Sequence, residues 1–223
     1  MLSQQIWIGF DTINPPGQEA ACTEYLRHLL ARAGFHCEAA PLAEGRPNRI
    51  EATGPGPMGP TRVTLSKPVI AAVAGYAVAG GLELALWCDL RVVEEDATFG
   101  VFCRRWGVPL IDGGTYRLPR IVGLGRALDL MLTGREFDAD EAYDIGFAAR
   151  VVPDGTALAT AVEMAEKIAS FPWPAVVHDR MSAYEGLGMD LAEGLANEDR
   201  HGREVIFGAG FLDGVARFEE RPR

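Results

Sequence analysis

Residues Lys67–Asp89 constrain the fold more than any other stretch. Pro68 opens an apolar run, Val69–Ala74, that reads as a buried strand. A small-residue turn follows, and from about Gly81 to Cys88 the chain becomes a run of good helix formers. Strand, turn and helix start in this order present backbone N–H groups at a helix N-terminus, where an anion or a growing oxyanion is stabilised. Which anion is the first functional question.

Gly75-Tyr76-Ala77-Val78-Ala79-Gly80 fits a relaxed G-x-A-x-x-G, and Glu94 and Glu95 end the next apolar strand about twenty residues on. That pattern points to a dinucleotide. Against it, Ala77 stands where the central glycine belongs, and its methyl group would crowd a pyrophosphate. The chain also fails to continue as alternating strands and helices. A P-loop is excluded because no Lys-Ser or Lys-Thr follows Gly81. The plainest alternative is that small residues simply let a helix pack on a sheet.

The chain as a whole narrows the classes. A net charge of -10 argues against nucleic acid, which needs a basic face. Cys22, Cys37, Cys88 and Cys103 are scattered, with no C-x-x-C and no zinc spacing. No basic segment precedes an apolar one at the start, and no apolar run reaches the ~18 residues of a membrane span. The expectation is a cytoplasmic protein with no nucleic-acid or membrane partner.

Organisation follows from proline and glycine. Residues 1–54 form a first block, with a helical pattern from Gln18 to Ala33 and short strands at 35–40 and 48–52. Residues 55–60 lie in a Gly/Pro stretch too dense for a helix or central strand, which reads as a linker or exposed loop. Residues 61–153 form a core with strands at Leu90–Val93 and Ala149–Val152, a short extended piece at 96–100 and a loop at 101–114. Helices are expected at Leu124–Thr133 and from Asp138, a natural N-cap, to Ile145. Residues 154–223 form a helical C-terminal region, with patterns at 156–170, 175–185 and 190–207.

A fuller pattern bears on the anion. Lys67–Asp89 resembles the enoyl-CoA hydratase/isomerase (crotonase) superfamily. The likeness continues through Ala97-Thr98-Phe99-Gly100, Trp106-Gly107-Val108-Pro109, Gly113-Gly114-Thr115-Tyr116-Arg117-Leu118-Pro119, Leu132-Thr133-Gly134-Arg135 and Arg150-Val151-Val152-Pro153. The resemblance implies an α/β, crotonase-like spiral of β-β-α units, here N-terminally truncated, with a helical end. It also implies an acyl-CoA thioester as substrate, coenzyme A entering only as part of that substrate, and a homo-oligomer, trimer or hexamer.

It further implies roles by position. Gly80 matches the second of two backbone donors that hold the enolate oxygen. Glu83 matches the first of the two glutamates that activate and protonate water, although an anionic residue near a helix start is also favoured structurally. The second glutamate falls on Cys103, a thiol that is mostly protonated near neutral pH and a weak holder of water. Asp112 is the nearest substitute carboxylate, or else a cap for the following helix. Ala79, Gly81, Tyr76, Trp106 and Leu110 are expected to contact substrate, Trp106 and Leu110 as pocket walls or as core. Arg62, Lys67, Arg104 and Arg105 are placed either to offset CoA phosphates or to sit solvated.

The first block has a different likeness. Phe10–Glu19 and Glu44–Asn48 look like the start of di-zinc amidohydrolases of the aminoacylase type, yet no H-x-D follows and no metal site is expected. Nothing in 1–60 matches the family's first donor turn. The expected function is therefore crotonase-like chemistry on an acyl-CoA thioester, or, alternatively, a catalytically impaired acyl-CoA binder or oligomer partner.

Overall fold

The computed structural model describes residues 6–10 and 56–208. The helix and strands expected between 18 and 52, and with them most of the stretch likened to the start of an aminoacylase-type enzyme, lie outside the described residues. In chain order the strands are β1 (Ile6–Phe10), β2 (Val69–Val73), β3 (Tyr76–Val78), β4 (Leu90–Glu94), β5 (Thr98–Gly100), β6 (Glu136–Phe137) and β7 (Arg150–Val152). The helices are α1 (Gly80–Trp87), α2 (Gly114–Val122), α3 (Leu124–Thr133), α4 (Ala139–Asp144), α5 (Ala157–Ala169), α6 (Trp173–Glu185) and α7 (Leu191–Ile206).

Residues 6–10, 56–65 and 69–161 form one compact unit, and 66–68 with 162–208 fall in a second. The first unit holds two sheets. One is parallel throughout, in the order β1-β2-β4-β7; in the other, β3-β5-β6, β3 and β5 run parallel and β5 and β6 antiparallel. β1 comes from the first block and pairs with β2 from Ile6 opposite Val69 to Phe10 opposite Val73. β2 is thereby paired on both edges, with β1 on one side and β4 on the other.

The expected strand–turn–helix is present. Val69, Ile70, Ala71 and Val73 of β2 are buried, as suits a strand with a parallel neighbour on each side. α1 buries Leu82, Leu84, Ala85, Leu86 and Trp87, which together leave it no polar face. Its last turn is fixed by Arg91, whose Nη1 donates to the carbonyls of Ala85 (3.2 Å) and Cys88 (2.8 Å). Asp89 Oδ2 accepts from the Val69 N–H at 2.6 Å, so the end of the helix is tied to the start of the strand. Beside it, Phe99, Phe137 and Phe147 pack with centroids 5.2, 5.0 and 5.7 Å apart.

Two local expectations change. The loop at 101–114 contains a 3-10 helix, Phe102–Trp106, ended by Gly107 in the left-handed region. The stretch expected as a linker is a packed turn: Gly56 and Gly59 pair, a 3-10 helix runs Pro60–Arg62, and Pro60 and Thr61 are buried. Asp138 caps α4 as expected, accepting from the Glu141 N–H at 2.9 Å.

The second unit is a helical hairpin. α7 opens with a capping box, Asp190 and Glu193 each accepting the other's backbone N–H. α6 and α7 are bridged by His178 Nδ1 and His201 Nδ1 at 3.0 Å, and by Glu185 to Arg200 at 2.7 Å.

Candidate active site

The site is built on the start of α1. Gly75, at φ +60, turns the chain from β2 into β3, and the Ala79 N–H donates to the Gly100 carbonyl at 2.9 Å. Ala79 then takes φ 51 and ψ -119, a conformation that side chains disfavour, and Gly80 begins the helix with no side-chain cap. The start of α1 therefore has no side-chain cap on its first backbone N–H groups. An Ala79→Gly variant is expected to be more stable. Strain of this kind costs about 1–3 kcal/mol and glycine's extra unfolded-state freedom returns only about 0.4–1 kcal/mol. Thermal denaturation should show a rise of about 2–4 °C; a fall would mean that Ala79 is unstrained.

One turn into the helix, Glu83 is 3% exposed. Its Oε1 accepts from the N–H groups of Asp112 and Gly114, each at 2.8 Å. Burial pushes its carboxyl above the ordinary carboxylate range. The two N–H groups pull it back in part, and the charge of Asp112 adds to the rise. Glu83 and the 112–114 loop thus form one buried assembly. Gly113 sits at φ +98, which lets the loop bend directly into α2.

Asp112 is also 3% exposed. Its Oδ1 accepts from the Met58 N–H at 3.0 Å and from Thr61 Oγ1 at 2.5 Å. Arg117 completes a clasp, its Nη2 donating to the Thr61 carbonyl at 2.6 Å and its Nη1 to that of Asp112 at 3.0 Å. The clasp carries Met58 onto the helix start: a Cβ added to Gly80 would fall 3.0 Å from Met58 Sδ and 3.2 Å from its Cε. Sequence reasoning did not find this. Asp112 lies 51 residues from Thr61, and the Gly/Pro stretch reads only as a linker or exposed loop.

Cys103 lies near Glu83, whose charge is felt at the thiol. Burial raises that thiol first, Glu83 raises it further, and Arg104 offsets only part of this. Arg104 does not turn it into a ready thiolate. The remaining expected contacts divide. Leu110 is buried, and a Cβ on Gly114 would meet its Cδ1 at 2.9 Å, which puts it against the loop held by Glu83. Gly81 lines a small apolar cleft with Ala77, Leu84 and Ala85. Tyr76 is 56% exposed, and Trp106, at 82%, is not part of the core. Arg105 stacks on the Phe102 ring at 3.8 Å and donates to the Gly134 carbonyl, while Arg104 donates to that of Met131. Glu94, Asp96 and Asp154 cluster elsewhere, with oxygens used by the N–H groups of Ala157 and Asp96. Among the described residues no helix is long and apolar enough to cross a membrane.

Comparison with known proteins identifies the family. The family model for enoyl-CoA hydratase/isomerase matches residues 61–223. A short-chain-enoyl-CoA hydratase of Clostridium acetobutylicum is 38% identical over 157 residues, covering 70% of this chain and 60% of its own. The mevalonyl-coenzyme A hydratase sidH of Aspergillus fumigatus is 33% identical over 225 residues, 98% of this chain and 80% of its own. Among solved structures, an enoyl-CoA hydratase from Mycobacterium tuberculosis superposes with a TM-score of 0.73 at 36% identity, over 77% of this chain and 69% of that one. The chain spans 59–61% of the length of several curated relatives that it matches.

Proposed function

The chain belongs to the enoyl-CoA hydratase/isomerase family, and on that premise we propose that it binds an acyl-CoA thioester with the carbonyl oxygen on the Gly80 N–H and Glu83 beside the acyl carbons. One observation carries this: an uncapped helix start and a buried, backbone-held carboxylate stand within one turn of each other. When water adds across the C2=C3 bond of a 2-enoyl thioester, its oxygen goes to C3 and a proton to C2. Electron density passes meanwhile through the thioester oxygen. An N–H aimed at that oxygen, aided by the helix dipole, favours the charged state. Glu83 keeps Oε1 on two amides, and in this reading its carboxylate takes the proton from water and returns it to C2.

In this reading Asp112 is a positioning residue, because its Oδ1 holds the 56–62 turn. Cys103 stands at the second carboxylate's place and holds water weakly, so hydration is slow. Cys103→Ser is expected to change the hydration rate little. Cys103→Glu should raise it by about 100-fold or more, the usual worth of a positioned acid or base. Loss of crotonyl-CoA absorbance checks both; a large drop in the serine variant would mean that the thiol itself is catalytic.

The second reading is a thioester binder without turnover, favoured by Cys103 in the place of the second carboxylate. Titration of the purified chain with butyryl-CoA by calorimetry, beside the crotonyl-CoA assay, separates the two: binding with slow hydration supports the first, binding alone the second. Self-association also belongs to the proposal. Leu124, Leu128 and Leu132 form an exposed stripe on α3 that supports it, and light scattering measures it.

A further inference from the structure

We propose that Met58 selects the acyl group, acting as an apolar wall over Gly80 that admits short chains and hinders long ones. The inference rests on the proposed placement of the thioester at Gly80. Its physical basis is the clasp. Met58 belongs to a turn whose backbone is fixed at both ends: Gly59 N–H donates to the Gly56 carbonyl at 2.8 Å, and Trp87 Nε1 donates to the Val63 carbonyl at 2.8 Å. Between these, Asp112 and Arg117 hold Met58 and Thr61 by three hydrogen bonds, and a fourth joins Arg117 to the Asp112 carbonyl.

A backbone so restrained leaves the side chain as the moving part. The thioether rests on Gly80, beside the N–H that is to receive the carbonyl oxygen. An acyl chain attached to that carbonyl must pass the thioether. Methionine suits such a wall, since it is apolar, polarisable and able to change rotamer around a ligand. Gly56 packs directly on the clasp, because a Cβ there would fall 1.8 Å from Thr61 Oγ1 and 2.5 Å from Asp112 Oδ1. The wall's backbone is thus restrained by the clasp.

The test is calorimetric titration of the full chain with free CoA, butyryl-CoA and octanoyl-CoA, saturated so that no turnover intrudes. Wild type is expected to bind butyryl-CoA more tightly than octanoyl-CoA. Met58→Ala should tighten octanoyl-CoA by about tenfold or more, the scale on which a pocket reads one methylene, and Met58→Phe should weaken both thioesters. Free CoA should bind all three proteins alike. Thioester binding with an unchanged butyryl-to-octanoyl ratio across the variants would overturn the role of Met58 and leave the thioester site standing. No thioester binding by wild type would overturn both.

Discussion

Glu83→Gln is expected to reduce enoyl-CoA hydration by about 100- to 10,000-fold, the range lost with a general acid or base, while the protein stays folded. The second half of that statement is what makes the first informative. Gln keeps an oxygen where Glu83 Oε1 accepts from Asp112 and Gly114, so the 112–114 loop retains its anchor. It also removes a charge that burial disfavours. A carboxyl raised in the folded state binds its proton more tightly there than in the unfolded chain. Its contribution to stability is therefore full below the ordinary carboxylate range and is lost as pH rises through the raised value. At neutral pH the variant gives up nothing on that account. Thermal melting should shift by less than ~4 °C, equivalent to about 1 kcal/mol. Binding of butyryl-CoA should persist, so the loss falls on kcat. The acid limb of the wild-type rate profile, set by Glu83 above the usual carboxylate range, should vanish from any residual activity.

Asp112→Ala has the larger effect on structure. It removes the acceptor of the Met58 N–H and the Thr61 hydroxyl at a site that is closed to water. A hydrogen bond to a charged group is worth about 1.5–3 kcal/mol, and a buried donor left alone costs about as much. The expected loss is about 3 kcal/mol, or a fall in melting temperature of roughly 6–12 °C. Asp112→Asn retains the Oδ1 acceptor and should recover most of it. Because the released turn carries Met58, the alanine variant should also lose discrimination between butyryl- and octanoyl-CoA, whereas the asparagine variant should keep both selectivity and hydration. If the asparagine variant instead folds normally but loses hydration about 100-fold, Asp112 is an acid–base group and not a clasp.

The legible part of this molecule is the part written in contiguous residues. Lys67–Asp89 encodes its strand by apolar content and its helix by propensity, and both stand within a residue or two of where those signals place them. Leu124–Thr133 and the Asp138 cap are equally local. What escaped is long-range or conformational. Nothing in the letters of Gly56–Thr61 says that an aspartate 51 residues away will hold that turn. Ala79 carries no mark of its positive φ, because an alanine there looks like a helix former. β1 is rich in β-prone residues, Ile6, Trp7, Ile8 and Phe10, but nothing local names its partner β2, about sixty residues on. For the site, the sequence could nominate Glu83, Gly80, Cys103 and Asp112. It could not divide the two carboxylates between one that faces the amides of a loop and one that holds a turn.

The most direct test concerns the thioester oxygen itself. Butyryl-CoA labelled with carbon-13 at the carbonyl, bound to the purified chain, is measured by difference infrared spectroscopy. If the Gly80 N–H holds that oxygen at the start of α1, the carbonyl stretch moves to lower frequency than in free solution. A bound thioester whose carbonyl stretch stays at its solution value would contradict the assignment of this site.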